Sequence, residues 1–121
     1  MYINYSQEDK IKDLLLFRKI VEVKNGDTLI LDNGVELEIQ PNEGCGGCNA
    51  GWYDIEMLNT CDNAITNVEF NEDWINNGNL YSYSIFVLAE DNRIKVLQVD
   101  GDDGNGYYGT GYRILVRQKN N

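Results

Sequence analysis

The chain has 121 residues and a mass of 13.8 kDa, the size of one domain or of two halves sharing one core. Its 20 acidic and 10 basic residues give a net charge of −10, which excludes a polyanion such as DNA as a direct partner of the main body. It contains no histidine, which removes imidazole bases and histidine metal ligands, and with them most hydrolase and metalloenzyme schemes.

From the N-terminus, Ser6-Gln7-Glu8-Asp9 reads as a helix start, a hydroxyl cap with a carboxylate three residues on. Ile11, Leu14 and Leu15 follow at helical spacing, so one helix is expected over about residues 7–16. After it the period changes to two. Val35-Glu36-Leu37-Glu38-Ile39-Gln40 alternates strictly, with one buried and one wet face. Arg18–Lys24, Asp27–Asp32, Ala64–Asn71, Ser82–Glu90, Arg93–Val99 and Tyr107–Val116 are rich in β-branched and aromatic residues. Asn25-Gly26, Asn33-Gly34 and Asn77-Gly78 supply the positive φ angles of tight hairpins, and Asp91-Asn92 is expected to turn another. Trp52–Asn59 suits either a strand or a short helix, and Asn71–Asn79 reads as a polar, exposed excursion. The expected fold is a β-rich α+β domain over 1–121, with about six to eight antiparallel strands and one N-terminal helix.

Neither an apolar run near 18 residues nor a basic segment leading into an apolar core is present. A cytoplasmic chain with no membrane segment is therefore expected. Its three cysteines are then reduced, and their odd number argues against a closed disulfide framework.

The charge is segregated. Residues 1–24 carry five bases against four acids, and residues 111–121 carry Arg113, Arg117 and Lys119 with no acid. Residues 25–110 carry sixteen acids against Arg93 and Lys95 alone, and no lysine or arginine occurs from Asn25 to Asn92. Such a midsection suits a cation or a basic protein surface, for example one that normally holds nucleic acid. Solubility alone is the competing explanation.

A shift of 60 aligns two loops without gaps. Asn42-Glu43-Gly44-Cys45-Gly46 falls on Asp102-Asp103-Gly104-Asn105-Gly106, and Gly51-Trp52 on Gly111-Tyr112. Upstream, Leu37 and Ile39 fall on Leu97 and Val99. The pattern implies an internal duplication with halves at about 17–60 and 61–117. Each half is too small to bury its sheet face alone, so the two would share one core.

Cys45-Gly46-Gly47-Cys48 has the spacing of a zinc knuckle, with Cys61 available as a third ligand and Glu43 as a fourth. Tetrahedral zinc asks for four, and the second C-x-x-C is missing, so the reading of two small thiols in a tight loop carries more weight. Asp100-Gly101-Asp102-Asp103-Gly104-Asn105-Gly106 invites calcium, but an EF-hand register puts Asn105 where glycine belongs and Gly111 where glutamate belongs. No lysine or arginine sits in either loop to hold phosphate. No metal and no cofactor is therefore expected. Trp52, Tyr53, Tyr107, Tyr108 and Tyr112 put aromatics beside both acidic loops, a composition suited to an arginine-bearing partner, although half of them, at alternating positions, suit the core of a strand pair.

The stretches Asn42-Glu43-Gly44-Cys45-Gly46-Gly47-Cys48 through Gly51-Trp52-Tyr53-Asp54-Ile55, and Val99-Asp100-Gly101-Asp102-Asp103-Gly104-Asn105-Gly106-Tyr107-Tyr108-Gly109-Thr110-Gly111-Tyr112, resemble the signature of a family of small phage and prophage proteins known only as a domain of unknown function. The resemblance covers roughly residues 14–117. It implies an accessory protein acting inside a bacterium, of the kind that inhibits host defences, anti-CRISPR proteins among them. The resulting expectation is a non-catalytic protein that occludes a basic, nucleic-acid-binding surface of a host defence effector. Its contacts would come from Glu43, Trp52, Tyr53, Asp100, Asp102, Asp103, Tyr107 and Tyr108. The alternative is a metal- or small-ligand-binding module built on the paired loops, with Cys45, Cys48 and Cys61 as its ligands.

Overall fold

Two-residue periodicity and turn dipeptides become nine strands and one short helix in a computed structural model, which describes residues 1–41, 50–75, 80–104 and 111–118, the side chains of 50, 51, 103 and 104 excepted. In chain order these are β1 (Tyr2–Asn4), α1 (Glu8–Leu15), β2 (Ile20–Lys24), β3 (Thr28–Leu31), β4 (Glu36–Pro41), β5 (Ala50–Leu58), β6 (Asn67–Ile75), β7 (Leu80–Ala89), β8 (Asn92–Gly104) and β9 (Tyr112–Arg117). They form a five-stranded sheet, ordered β1-β9-β4-β3-β2, and a four-stranded sheet, ordered β5-β8-β7-β6, antiparallel throughout. Among the described residues no helix is long and apolar enough to cross a membrane.

The β-rich α+β class expected from the sequence is the one observed, with more strands than the expected six to eight. The additional strand is β1, whose Tyr2, Ile3 and Asn4 pair with Leu115, Ile114 and Arg113. Ile3 is 1% exposed, and its burial contributes roughly 1.5–3 kcal/mol to holding this three-residue strand in place. Of the ambiguous Trp52–Asn59, all but Asn59 is strand, since β5 ends at Leu58. Of the expected exposed excursion at Asn71–Asn79, residues 71–74 are exposed but belong to a strand: β6 runs through to Ile75 and pairs with β7 from Asn67↔Leu88 to Ile75↔Leu80, and residues 76–79 lie outside the described residues.

The helix lies close to its expected span, but its start differs. Gln7, not Ser6, is the N-cap residue, with no side-chain cap bond, and its amide oxygen instead accepts the Asn4 N–H at 2.9 Å. The helix stops where Phe17 takes φ 67° and donates its N–H to the Ile65 carbonyl. In the β2–β3 hairpin Asn25 and Gly26 both have positive φ, as the sequence requires of a primed turn. Between β7 and β8 the positive φ falls on Glu90, one residue ahead of the expected Asp91-Asn92 turn.

The topology exchanges strands between the two runs of the chain. β2, β3 and β4 form a meander in the first sheet, and the next strand, β5, pairs with β8 in the second. β6, β7 and β8 form a meander in the second sheet, and the next strand, β9, pairs with β4 in the first. Tyr112 lies opposite Pro41 in one seam and Tyr53 opposite Gly101 in the other. Both tyrosines are almost fully buried.

The buried side chains of both sheets and of α1 form one cluster, including Ile11, Leu15, Leu31, Ile39, Val87, Leu97 and Ile114. Its aromatic end is tyrosine. Tyr83 packs against Tyr5, Tyr53, Tyr81 and Tyr112 at centroid distances of 4.8–6.2 Å, in tilted and edge-on contacts.

Candidate functional site: an acidic sheet face

In an antiparallel sheet, residues directly opposite share a face. In the four-stranded sheet Tyr53, Ile55, Tyr83, Ile85, Val87, Leu97 and Val99 point to the core. The other face carries a row across all four strands, Asp54 (β5), Asp100 (β8), Ser82 (β7) and Asp73 (β6), each opposite the next. Beside it Trp52 stands opposite Asp102. On its other side Met57, Gln98, Ser84 and Asn71 form a neutral row. Three exposed aspartates, Asp54, Asp73 and Asp102, and an exposed tryptophan thus share one face with the nearly buried Asp100.

Asp100 is the fixed centre. It is 9% exposed, and its Oδ1 accepts the Ser82 hydroxyl at 2.5 Å. Gln98 Nε2 donates to both carboxylate oxygens, at 3.1 and 2.9 Å, and Lys95 Nζ donates to Gln98 Oε1 at 2.8 Å. These are neutral donors, and among the described residues they hold the Asp100 carboxyl in place without an ion pair. Asp54 stands directly across the strand from it. Like charges in a cross-strand pair are destabilising by a few tenths to about 1 kcal/mol. The fold gains nothing from this pairing.

The far end of the same face is basic. Arg93 stacks its guanidinium 3.6 Å over the Phe86 ring and pairs through Nε with Glu69 at 2.9 Å, and Lys95 lies 5.4 Å from the same ring. Arg93 is thus engaged by Glu69, and Lys95 is linked to Asp100 through Gln98.

The corresponding face of the five-stranded sheet is neutralised. Arg117 reaches Glu38 at 2.8 Å and Glu36 at 3.8 Å, and Lys24 reaches Glu36 at 3.5 Å. Arg113 donates to Gln40 and lies 4.5 Å over the Tyr2 ring. Among the described residues, the outer face of the four-stranded sheet therefore carries more acids than bases, Asp54, Asp73, Asp100, Asp102 and Glu69 against Arg93 and Lys95.

The structure brings together three of the eight side chains expected at the partner surface: Trp52, Asp100 and Asp102. Tyr53 is corrected, because at 1% exposure it belongs to the core and faces away from them. Glu43, Tyr107, Tyr108 and the Asp103 side chain lie outside the described residues, as do Cys45 and Cys48. Cys61 is buried, with its thiol donating to the Asn63 carbonyl at 3.3 Å. Among the described residues no three His, Cys, Asp or Glu side chains are grouped to hold a metal ion.

Asp54 and Asp73 were missed from sequence. The alternation Trp52-Tyr53-Asp54-Ile55 carries the signal for the first. Asp73 shows none until β6 is known to continue through it.

No curated protein and no solved structure matches the chain. The family model described as Domain of unknown function (DUF7448) matches residues 13–114, and the chain belongs to that family.

Proposed function

We propose that this is a non-catalytic binding protein whose acidic sheet face occupies a basic, nucleic-acid-binding surface of a partner protein. The observation that carries the reading is the Asp54–Asp100 cross-strand pair. Like charges set directly opposite cost stability, and sites where a fold tolerates such a cost are sites of function. The exposed Asp54, Asp73 and Asp102 carboxylates, set around the nearly buried Asp100, offer a surface of separated negative charges to lysines and arginines that otherwise hold phosphates. Trp52, 46% exposed beside Asp102, supplies an aromatic anchor among them. Inhibition is by occlusion, with long-range attraction speeding encounter. In the biological setting proposed, the protein is phage-encoded, acts in the bacterial cytoplasm and targets a nucleic-acid-binding defence effector.

The test is capture of the partner from a bacterial host, followed by measurement of the purified pair. Affinity should fall steeply between about 50 and 200 mM salt, and the partner's nucleic acid should compete. Asp54→Lys and Asp102→Lys should each weaken binding at least tenfold, whereas Arg113→Gln on the opposite sheet should not. Asp54→Asn should weaken binding while raising the melting temperature, because it relieves the like-charge pair. Salt-independent affinity, or a partner that binds nucleic acid and this protein together, would refute the reading.

A further inference from the structure

Both tryptophans of the chain are exposed, which is unusual for the largest side chain. Trp52 belongs to the acidic face. Trp74 does not: it lies on the opposite face of β6, the edge strand of the four-stranded sheet. Residues 71–74 are exposed on both faces of that strand. Trp74 is 58% exposed and packs against Tyr81 of β7, its cross-strand neighbour, with ring centroids 4.6 Å apart at 75°. The Tyr81 hydroxyl donates to Glu72 Oε2 at 3.0 Å. Glu72 sits two residues before Trp74 on the same side of β6, roughly 6.5 Å along the strand.

Each part has a role in holding a cation. The tyrosine fixes both the indole and the carboxylate, so little side-chain freedom is lost on binding. A planar guanidinium can stack on an indole while its N–H groups pair with a carboxylate at this spacing, and an ammonium cannot do both equally well. The segment 67–89 contains Glu69, Glu72 and Asp73 but no lysine or arginine, so no base of the hairpin itself competes for the position. A crevice between the N-terminal end of α1 and this hairpin adds a second carboxylate, Glu8, near Glu72.

We infer that Trp74, Tyr81 and Glu72 form a second contact site, which receives an arginine side chain of the basic partner. The inference rests on the proposed function and deepens it: the sheet face reads positive charge, and the hairpin reads arginine in preference to lysine. The protein then grips its partner from two sides of one sheet.

The test uses nona-arginine and nona-lysine peptides, equal in charge, at low salt. In a Trp52→Phe protein, Trp74 emission should change saturably, with a midpoint roughly three- to fivefold lower for nona-arginine. Trp74→Leu, followed by anisotropy of labelled peptides, should remove that preference, and Glu72→Gln should narrow it, both with an unchanged melting temperature. Equal midpoints for the two peptides, or a preference that survives Trp74→Leu, would overturn the assignment. The two readings fail separately. Binding of both peptides that Asp54→Lys weakens, with no arginine preference, sinks the hairpin site alone. An arginine preference through Trp74 that is indifferent to Asp54→Lys and to salt sinks the acidic face alone.

Discussion

Gly101 sits in the middle of β8, where a glycine would ordinarily weaken a strand, and the Tyr53 ring explains it. A Cβ at this position would come within 2.6 Å of two Tyr53 ring carbons and would also collide with the Trp52 carbonyl oxygen. Neither neighbour can yield, since one is backbone and the other a fully buried ring. Gly101→Ala should therefore cost about 1–3 kcal/mol or more, read as a lower melting temperature with a matching loss of near-ultraviolet tyrosine signal. A variant as stable as the parent would mean that Tyr53 is not packed as described. The cost has a bearing on function, because Tyr53 is flanked in sequence by Trp52 and Asp54. Burying the tyrosine on one side of β5 is what turns those two side chains to the other. From sequence, Gly101 reads as part of an acidic glycine-rich loop. Its strand identity depends on a ring 48 positions away.

The seam between β4 and β9 joins the two runs of the chain and is held by side chains as well as by backbone. The Gln40 amide and then the Arg117 guanidinium hold the Glu38 carboxyl below its ordinary range, with burial opposing them weakly. A carboxyl whose folded pKa is depressed binds fewer protons in the native state than in the unfolded state. Its stabilisation is fully present above the unfolded value, about 4.3, and is lost as pH falls through the folded value. Melting temperature should thus drop between about pH 5 and pH 3, and Glu38→Gln should flatten that limb. Parallel curves for parent and variant would assign the acid sensitivity elsewhere.

The strands of this seam were the easiest to read, because Val35–Gln40 alternates without interruption. β1 was not readable: three residues without flanking turn signals become a strand only when β9 is present to pair with them. β5 was ambiguous because its alternation breaks at a bulge between Ile55 and Met57, which puts Glu56 and Met57 both on exposed positions. The distal part of β6 was hidden by its polarity. Asn71-Glu72-Asp73 has no apolar member to mark a buried face, because β6 is the edge strand and these three residues are exposed there.

At the scale of the whole molecule, the exchange of β5 and β9 fixes how the protein should unfold. Were each four-strand run to form its own sheet, the two could melt separately, and the contacts between them would be side-chain contacts only. Here each sheet takes one strand from the other run. The four-stranded sheet cannot lose β5 without dragging on β4, nor the five-stranded sheet lose β9 without dragging on β8. The common apolar cluster couples them further. Both tryptophans, Trp52 on β5 and Trp74 on β6, report the four-stranded sheet, whereas far-ultraviolet circular dichroism reports both sheets. Urea curves from the two signals should coincide, with one midpoint and one slope. A tryptophan transition that ends before the dichroism begins to change would show that the sheets separate and that strand exchange does not bind them into one cooperative unit. Coincidence matters for the proposed binding as well. The acidic row spans β5, β8, β7 and β6, and its charges keep their spacing only while the strand donated by the first run stays in place beside the three from the second.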